Sequence, residues 1–342
     1  MIGNATRNGR VSITGIGANA PERVMTNDEL AQIVDTSDEW IIERTGIRER
    51  RVAAPDEALS DLALPAAKDA LEQAGLEASA VDLLVVATVT PDMFFPSTGA
   101  ILADTLGAKD AAAYDLSAGC TGFVYAIAQA HGMVASGLAE HALVIGGDVL
   151  SRIVDWEDRS TCVLFGDGAG AVVLERVREG GFLGFELGAD GSGGGELYMP
   201  AGGSRSPATA ETVATRQHYA KMNGREVFKF ATRVLVDSAE KVLDECGVPV
   251  DEVDVYVPHQ ANVRIIDHAR RKLGIPEERT VVNVDRFGNT SSGSIPLALG
   301  DAEADGRLAP GQMVLMTGMG AGLTWGSAVI EWTANGKGGG HE

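Results

Sequence analysis

Ala113–Gly132 reads AYDLSAGCTGFVYAIAQAHG, and this stretch decides the fold. A short run ends in Asp115, a small-residue turn Ser117-Ala118-Gly119 follows, and Cys120 stands at its far side. Thr121–Ala130 then reads as a helix in which Phe123, Val124, Tyr125, Ile127 and Ala128 leave almost no polar face. A helix that is apolar all round has to lie inside the molecule. Cys120 is thereby expected at the N-terminus of a central helix, where free backbone N–H groups and the helix dipole favour a thiolate. Free cysteine is also among the most buried residue types and is then inert. Two readings stand at this point: nucleophile or core residue.

Composition narrows the classes. The chain has 342 residues, 45% of them hydrophobic and 22% charged, enough for two domains of about 150 residues each. Lys and Arg number 28 against 48 Asp and Glu, a net charge of −20. Nucleic acid and anionic membrane both ask for a basic surface, so neither is expected as a partner. Three widely spaced cysteines (Cys120, Cys162, Cys246) make neither a disulfide framework nor a zinc site, and a reducing cytoplasm is the simplest setting. No signal peptide is read before the first strand-like run, Arg10–Ile16, and no apolar run is long enough to span a bilayer. Asn335–Glu342, NGKGGGHE, reads as a disordered tail.

Along the chain, Val11-Ser12-Ile13-Thr14 reads as a strand, and Gly15-Ile16-Gly17-Ala18-Asn19-Ala20 after it has the G-x-G-x-x-A spacing of a dinucleotide site. That site needs a helix opening on its glycines. Here Pro21 intervenes and the helix signal starts only at Thr26-Asn27-Asp28-Glu29, so a tight strand-to-loop turn is the better reading. In Val34–Arg51, Ser37-Asp38-Glu39 caps a short helix carrying Trp40, Ile41 and Ile42, followed by Arg44, Arg48, Arg50 and Arg51. An aromatic beside arginines could grip an adenine and phosphates, or be a core Trp under a solvated charge run.

Leu59–Gly75 reads as an amphipathic helix with a glycine C-cap, and Val81–Val89 as a buried strand. This pattern returns. LEQAGLEASAVDLLVVAT, residues 71–88, lies over LDECGVPVDEVDVYVPHQ, residues 243–260, pairing Gly75 with Gly247. Gly119-Cys120-Thr121 pairs with Gly288-Asn289-Thr290, and Gly168-Ala169-Gly170 before AVVLE pairs with Gly320-Ala321-Gly322 before SAVIE. Three pairings in one order describe two similar halves of a duplicated fold, 1–178 and 179–342, the second with a flexible tail from about residue 335. The second half puts Asn289 where the first puts Cys120, and His259 at the end of the strand-like VDVYVP. Strand ends and helix starts of two related halves converge where the halves meet, which gathers Cys120, His259 and Asn289 in one site. A lone His is more often structural, and His131, His141, His218, His268 and His341 have no such setting.

With these residues in hand the chain resembles the β-ketoacyl-acyl carrier protein synthase III family of the thiolase superfamily, the initiating condensing enzymes of type II fatty acid synthesis. The resemblance rests on TSDEWIIERTGIRER, DLSAGCTGF, DRSTCVLFGDGAGAVVLE, VFKFAT, VPHQANVRI, GNTSSGSIPLAL and GMGAGLTWGSA, in that order along nearly the whole chain. It implies an α/β, five-layered αβαβα thiolase-like fold and a homodimer. It implies that Cys120 carries the acyl group, that His259 and Asn289 serve decarboxylation, and that the backbone N–H groups of Cys120 and Ala321 form the oxyanion hole. The family has glycine where Ala321 stands, but an N–H remains available there. Coenzyme A contacts fall on Trp40, Arg44, Arg159, Asn262 and Gly224. Phe95 matches the aromatic that closes the partner subunit's acyl pocket. The substrates implied are an acyl-CoA and malonyl-acyl carrier protein, with no cofactor and no metal.

Carrier protein is acidic, so a chain of net charge −20 needs a local basic face for it. Val263–Leu273 reads as a helix with Arg264, Arg270, Arg271 and Lys272 directly after the His259 loop, and Lys229 and Arg233 could join it. Alternatives remain: a relative priming a polyketide or alkylquinolone pathway, a plain acyltransferase, a non-catalytic partner subunit, or a nucleotide-binding oxidoreductase. Retention of Cys120, His259 and Asn289 favours condensation, and Trp40 with Arg159 favours a CoA primer.

Overall fold

The structure, a computed structural model, describes residues 10–333; the expected tail and His341 lie outside them. Two sheets form the frame. The first has the order Val11–Asn19, Asp167–Arg176, Ala142–Val149, Leu83–Ala87, Ala112–Leu116, with its last three strands parallel and the first two added antiparallel. The second has the order Val255–Pro258, Met313–Gly320, Thr324–Glu331, Gly181–Ala189. Only its first pair is parallel.

Alternation along each strand divides the core into layers. Leu83, Val85 and Ala87 face inward with Val144 and Val172, while Leu84 and Val86 face outward with Leu143 and Ile145. Period-two alternation with both faces apolar marks a strand covered on both sides. The helices Leu59–Ala74 and Thr98–Leu106 cover the outer face of the first sheet. Gly122–Ser136 and Ser294–Ala304 lie between the sheets, where Phe123, Ile127, Ile295 and Leu299 touch apolar side chains of both. Gly224–Cys246 and Val263–Leu273 cover the outer face of the second sheet. The result is the five-layered αβαβα arrangement that the resemblance implies. The all-apolar helix after Cys120 is the middle layer, with Phe123, Val124 and Ile127 fully buried. Each large side chain there contributes about 1.5–3 kcal/mol of burial.

The repeated segments have matching geometry. Helices Leu59–Ala74 and Gly224–Cys246 both end on a glycine at φ +69°, Gly75 and Gly247, and each leads through a short turn into a buried strand. A left-handed C-cap explains why glycine stands at both positions.

Three local expectations need correction. The first strand does not turn at its glycines but continues to Asn19. A Cβ on Gly15 or Gly17 would overlap the backbone carbonyls of Ala70 and Ala66, so these glycines let helix Leu59–Ala74 lie directly on the strand. Arg50 is no part of a surface cluster. It is fully buried, and its guanidinium donates to the carbonyls of Met25 and Val163 and to Asn27 Oδ1. Burial lowers its pKa to about 10. The run TCVLF around Cys162 reads as a strand, but Cys162 lies on a short helix, Arg159–Cys162. Among the described residues no helix is long and apolar enough to cross a membrane.

Candidate active site

Strand Ala112–Leu116 leads into the turn that carries Cys120. Asp115 accepts the N–H groups of Thr98 and Gly99 at 2.8 Å each, fixing the strand end to the start of helix Thr98–Leu106. Gly119 follows at φ +58°, and a Cβ there would stand 2.7 Å from the Ala321 nitrogen. Only glycine satisfies both demands. Cys120 comes next, just ahead of the N-cap Thr121 of helix Gly122–Ser136. The hydroxyls of Thr121 and Thr324 both lie 2.8 Å from the Ala118 carbonyl and touch one another; one donates to the carbonyl and the other to the carbonyl or to its neighbour, so the Cys120 turn and the 320–324 turn are fastened together.

Its own N–H, the Ala321 N–H and the Ser291 hydroxyl all act on the Cys120 sulfur to lower its pKa. They do not yield a resting thiolate. Burial pushes the thiol up to about 11, the Asp148 carboxylate adds to the rise, and the three hydrogen bonds only partly offset them. The helix end was expected to favour the thiolate; desolvation of a buried sulfur outweighs it.

From the second half, strand Val255–Pro258 ends at His259, whose N–H donates to the Thr317 carbonyl at 2.7 Å. Its Nδ1 is 2.5 Å from Ser294 Oγ, and its Nε2 is buried without a hydrogen-bond partner among the described residues. Burial drives the imidazole pKa down to about 3, so it is neutral at physiological pH. Asn289 is held by two backbone hydrogen bonds, its N–H to Leu164 at 2.8 Å and its carbonyl from Gly166 at 3.0 Å. The Ser291 N–H donates to Asn289 Oδ1 at 2.9 Å, which leaves Nδ2 as the free end of the carboxamide. Ser291 sits at φ +52°, unusual for a side-chain-bearing residue, and so turns its N–H to Asn289 and its hydroxyl to Cys120.

Asp148 anchors the loop from below. One oxygen accepts from Thr88 and Thr90 hydroxyls and the N–H groups of Val89 and Thr90; the other accepts from the Ser292 hydroxyl at 2.6 Å and its N–H at 3.2 Å. The structure thus relates Cys120 to Asn289 through Ser291, sets Ala321 against the turn before Cys120, and ties His259 to the Asn289 loop through Ser294. The serines and Asp148 were missed in the sequence. The available signals were a charged residue in the apolar run ALVIGGDV and the crowding of hydroxyls in GNTSSGS.

Two guanidinium groups lie over the Trp40 ring, Arg44 at 4.7 Å and Arg159 at 4.9 Å from its centroid. Asn262 Nδ2 donates to the Arg44 carbonyl at 3.0 Å while its Oδ1 caps helix Val263–Leu273. Gly224 is the first residue of helix Gly224–Cys246, and space opens beyond it, a Cβ there meeting only the Met222 methyl at 3.6 Å. Phe94 and Phe95 are 81% and 85% exposed, an apolar pair presented to solvent. On helix Val263–Leu273, Arg264 is exposed and stacks over Phe228 at 5.6 Å. Arg271 is exposed beside Asp267, and Lys272 is exposed. Lys229 is 78% exposed, 3.8 Å from Glu226. Arg270 instead turns inward to Asp267 and Glu277, so it adds little to the outer basic face. Among the described residues no group of three or more His, Cys, Asp and Glu could hold a metal ion.

Comparison with known proteins adds the following. Residues 114–191 match the 3-oxoacyl-[acyl-carrier-protein] synthase III family, and residues 243–332 match the C-terminal region of the same family. The chain is 55% identical over 323 residues to β-ketoacyl-[acyl-carrier-protein] synthase III of Symbiobacterium thermophilum, covering 94% of this chain and 98% of the relative. Among solved structures, the synthase III of Thermus thermophilus is 50% identical with a TM-score of 0.87, covering 94% of this chain and 99% of that one. The priming β-ketosynthase of the R1128 polyketide biosynthetic pathway is 36% identical with a TM-score of 0.90, covering 96% and 98%.

Proposed function

The chain belongs to the β-ketoacyl-[acyl-carrier-protein] synthase III family of acyltransferases, and we propose that it condenses a short acyl-CoA primer with malonyl-acyl carrier protein to begin type II fatty acid synthesis. The reaction runs as a ping-pong sequence. Cys120 Sγ, once deprotonated, attacks the acyl-CoA thioester, and the N–H groups of Cys120 and Ala321 hold the tetrahedral oxyanion. The thiolate of coenzyme A leaves with the proton that Cys120 gave up. Malonyl-carrier protein then loses carbon dioxide, and the electrons of the broken C–C bond move into an enolate. His259 Nε2–H and the Asn289 amide donate to the enolate oxygen. The enolate carbon attacks the acyl-Cys120 carbonyl and expels the sulfur. Acyl-CoA is a substrate here, and no cofactor enters the sequence.

The observation that carries this reading is the backbone contact between Gly119 and Ala321, which brings the Ala321 N–H beside Cys120, where it, the Cys120 N–H and the Ser291 hydroxyl act on one sulfur. Support for the remaining assignments is of a simpler kind. Trp40 and Arg159 suit the two sides of an adenine, with Arg44 nearby and Asn262 and Gly224 completing the coenzyme A site. Arg264, Arg271, Lys272 and Lys229 offer the local basic face for carrier protein. The exposed Phe94–Phe95 pair suits a homodimer in which Phe95 closes the partner's acyl pocket. One sheet ends at Arg176 and the other begins at Gly181, which supports halves meeting near residue 178. Three free cysteines suit the cytoplasm.

A panel of acyl-CoAs followed by mass spectrometry of the intact enzyme, beside release of labelled carbon dioxide from malonyl-carrier protein, tests the proposal. Acylation by short acyl-CoA and release of carbon dioxide are expected. Acylation without carbon dioxide would replace condensation by plain acyl transfer. Likeness to the R1128 priming enzyme supports a second reading, priming of a polyketide pathway, and discrimination among carrier proteins in the same assay separates the two.

A further inference from the structure

The Asn289 loop carries a third serine, Ser294, at the first turn of the buried helix Ser294–Ala304. It is 1% exposed, and His259 Nδ1, at 2.5 Å, is the one hydrogen-bond partner of its hydroxyl among the described residues. Two arrangements of the protons are open. If Nδ1 carried the proton and donated to Ser294, the Ser294 O–H would be sealed in the protein without an acceptor. A buried donor left unpaired costs about 1–3 kcal/mol. If Ser294 donates to Nδ1 instead, its own donor is satisfied, and the donor left over is Nε2–H, which in the condensing reading is the one that meets the substrate oxygen. The imidazole proton then resides on Nε2, the ring nitrogen that has no protein partner.

We infer that Ser294 is a positioning residue that holds His259 in the Nε2–H tautomer, making it a hydrogen-bond donor to substrate oxygen and not a base for Cys120. The inference rests on the condensing reading of the site. A carbonyl or carboxylate at this place would accept from Nδ1–H and leave Nε2 as an acceptor, the arrangement of a general base. A hydroxyl whose one partner among the described residues is Nδ1 favours the opposite polarity. It also matches the charge that develops: decarboxylation places negative charge on oxygen, which calls for donors aimed in advance.

The test is nitrogen-15 NMR of the wild-type enzyme labelled at histidine, with His259 assigned by its loss in His259→Gln. A protonated Nε2 and a bare Nδ1 are expected at pH 7. Ser294→Ala should shift His259 toward the other tautomer. It should also lower carbon dioxide release roughly ten- to a hundredfold, more than it lowers acylation. Ser294→Thr, which keeps the hydroxyl, should restore both. A proton on Nδ1 in the wild type overturns the inference, and so does Ser294→Ala with unchanged tautomer and unchanged carbon dioxide release. Should the wild type show Nε2–H yet release no carbon dioxide, the Ser294 assignment stands and the condensing reading falls.

Discussion

Gly119 and Ala321 pack backbone against backbone: a Cβ on Gly119 would stand 2.7 Å from the Ala321 nitrogen and 2.9 Å from its carbonyl oxygen. The two turns come from different halves, and their contact sets the spacing of the two N–H groups on the Cys120 sulfur. Gly320 is under the same constraint, since a Cβ on it would overlap the Cys120 nitrogen. Gly320→Ala is therefore expected to spread the donor pair. Acylation should fall by roughly a hundredfold or more, the scale of losing one oxyanion donor. Single-turnover acylation by mass spectrometry checks this, with thermal unfolding as the control for folding.

Much of this arrangement was readable because it is local. The all-apolar run after Cys120 demands burial wherever it falls, and the Gly75 and Gly247 caps repeat a helix end that needs φ above zero. What was not readable depends on distant partners. Gly15 and Gly17 look like a turn until Ala66 and Ala70 are laid across them. Arg50 looks like one charge among four until three acceptors from two distant segments surround it. The thiol of Cys120 was expected to gain from its helix end, but the degree of desolvation is a property of the closed fold. Ser291, Ser292 and Ser294 have nothing in their own spelling to assign them, since their roles come from Cys120, Asp148 and His259.

Cys120 is expected to be the one cysteine that becomes acylated, although it is not the most exposed. Cys246 is half-buried and more open, and Cys162 is fully buried next to Arg50. All three thiols are pushed up to about 11, so acidity does not select among them. Donors for an oxyanion do. Where thiolate formation limits the rate, acylation should rise about tenfold per pH unit from neutral toward 9. Peptide mapping after acyl-CoA treatment, with the rate followed against pH, decides it. Label on Cys246 with Cys120 unmodified would sink the mechanism.

Two buried histidines predict acid sensitivity. Burial lowers His259 to about 3 and His131 to about 4, both below the ordinary value of 6.5. Between those values and 6.5 the unfolded chain binds protons that the folded chain refuses. Their contribution is thus fully present above about pH 6.5 and is lost as pH falls, at roughly 1.4 kcal/mol per pH unit for each. His259→Gln should flatten the slope by one such share. Urea midpoints at pH 7, 6 and 5, at fixed protein concentration, measure it; an unchanged slope would show that His259 is protonated in the folded protein.

Charge reversal at Arg264, Arg271 and Lys272 should raise the apparent KM for malonyl-carrier protein on the order of tenfold at low salt, with the effect shrinking as salt is added. Acylation by acyl-CoA should change little, because the Trp40 grip uses Arg44 and Arg159. Arg270→Glu belongs to a different class. Its side chain is 12% exposed and paired with Asp267 and Glu277, so its reversal should lower stability before it alters docking. Wild-type carrier-protein kinetics in the triple variant would leave this helix as solvated surface.

The two half-reactions should separate at Asn289. Acylation needs the Cys120 sulfur and the N–H groups of Cys120 and Ala321, none of which is an Asn289 atom. Decarboxylation needs donors for an enolate, and Asn289 Nδ2 is the end of the carboxamide left free once Ser291 holds Oδ1. Asn289→Ala should therefore leave acyl-Cys120 formation largely intact while condensation falls by a factor on the order of a hundred or more. Asn289→Asp is the sharper variant. A carboxylate would still accept from the Ser291 N–H, but its other oxygen would face the enolate with negative charge and no proton. It should thus keep the loop and lose condensation at least as fully as Asn289→Ala. Single-turnover acylation beside carbon dioxide release gives both numbers from one sample. Abolition of acylation itself by Asn289→Ala, with Asn289→Asp acylating normally, would show that Asn289 supports the nucleophile turn through the Ser291 contact and not the enolate.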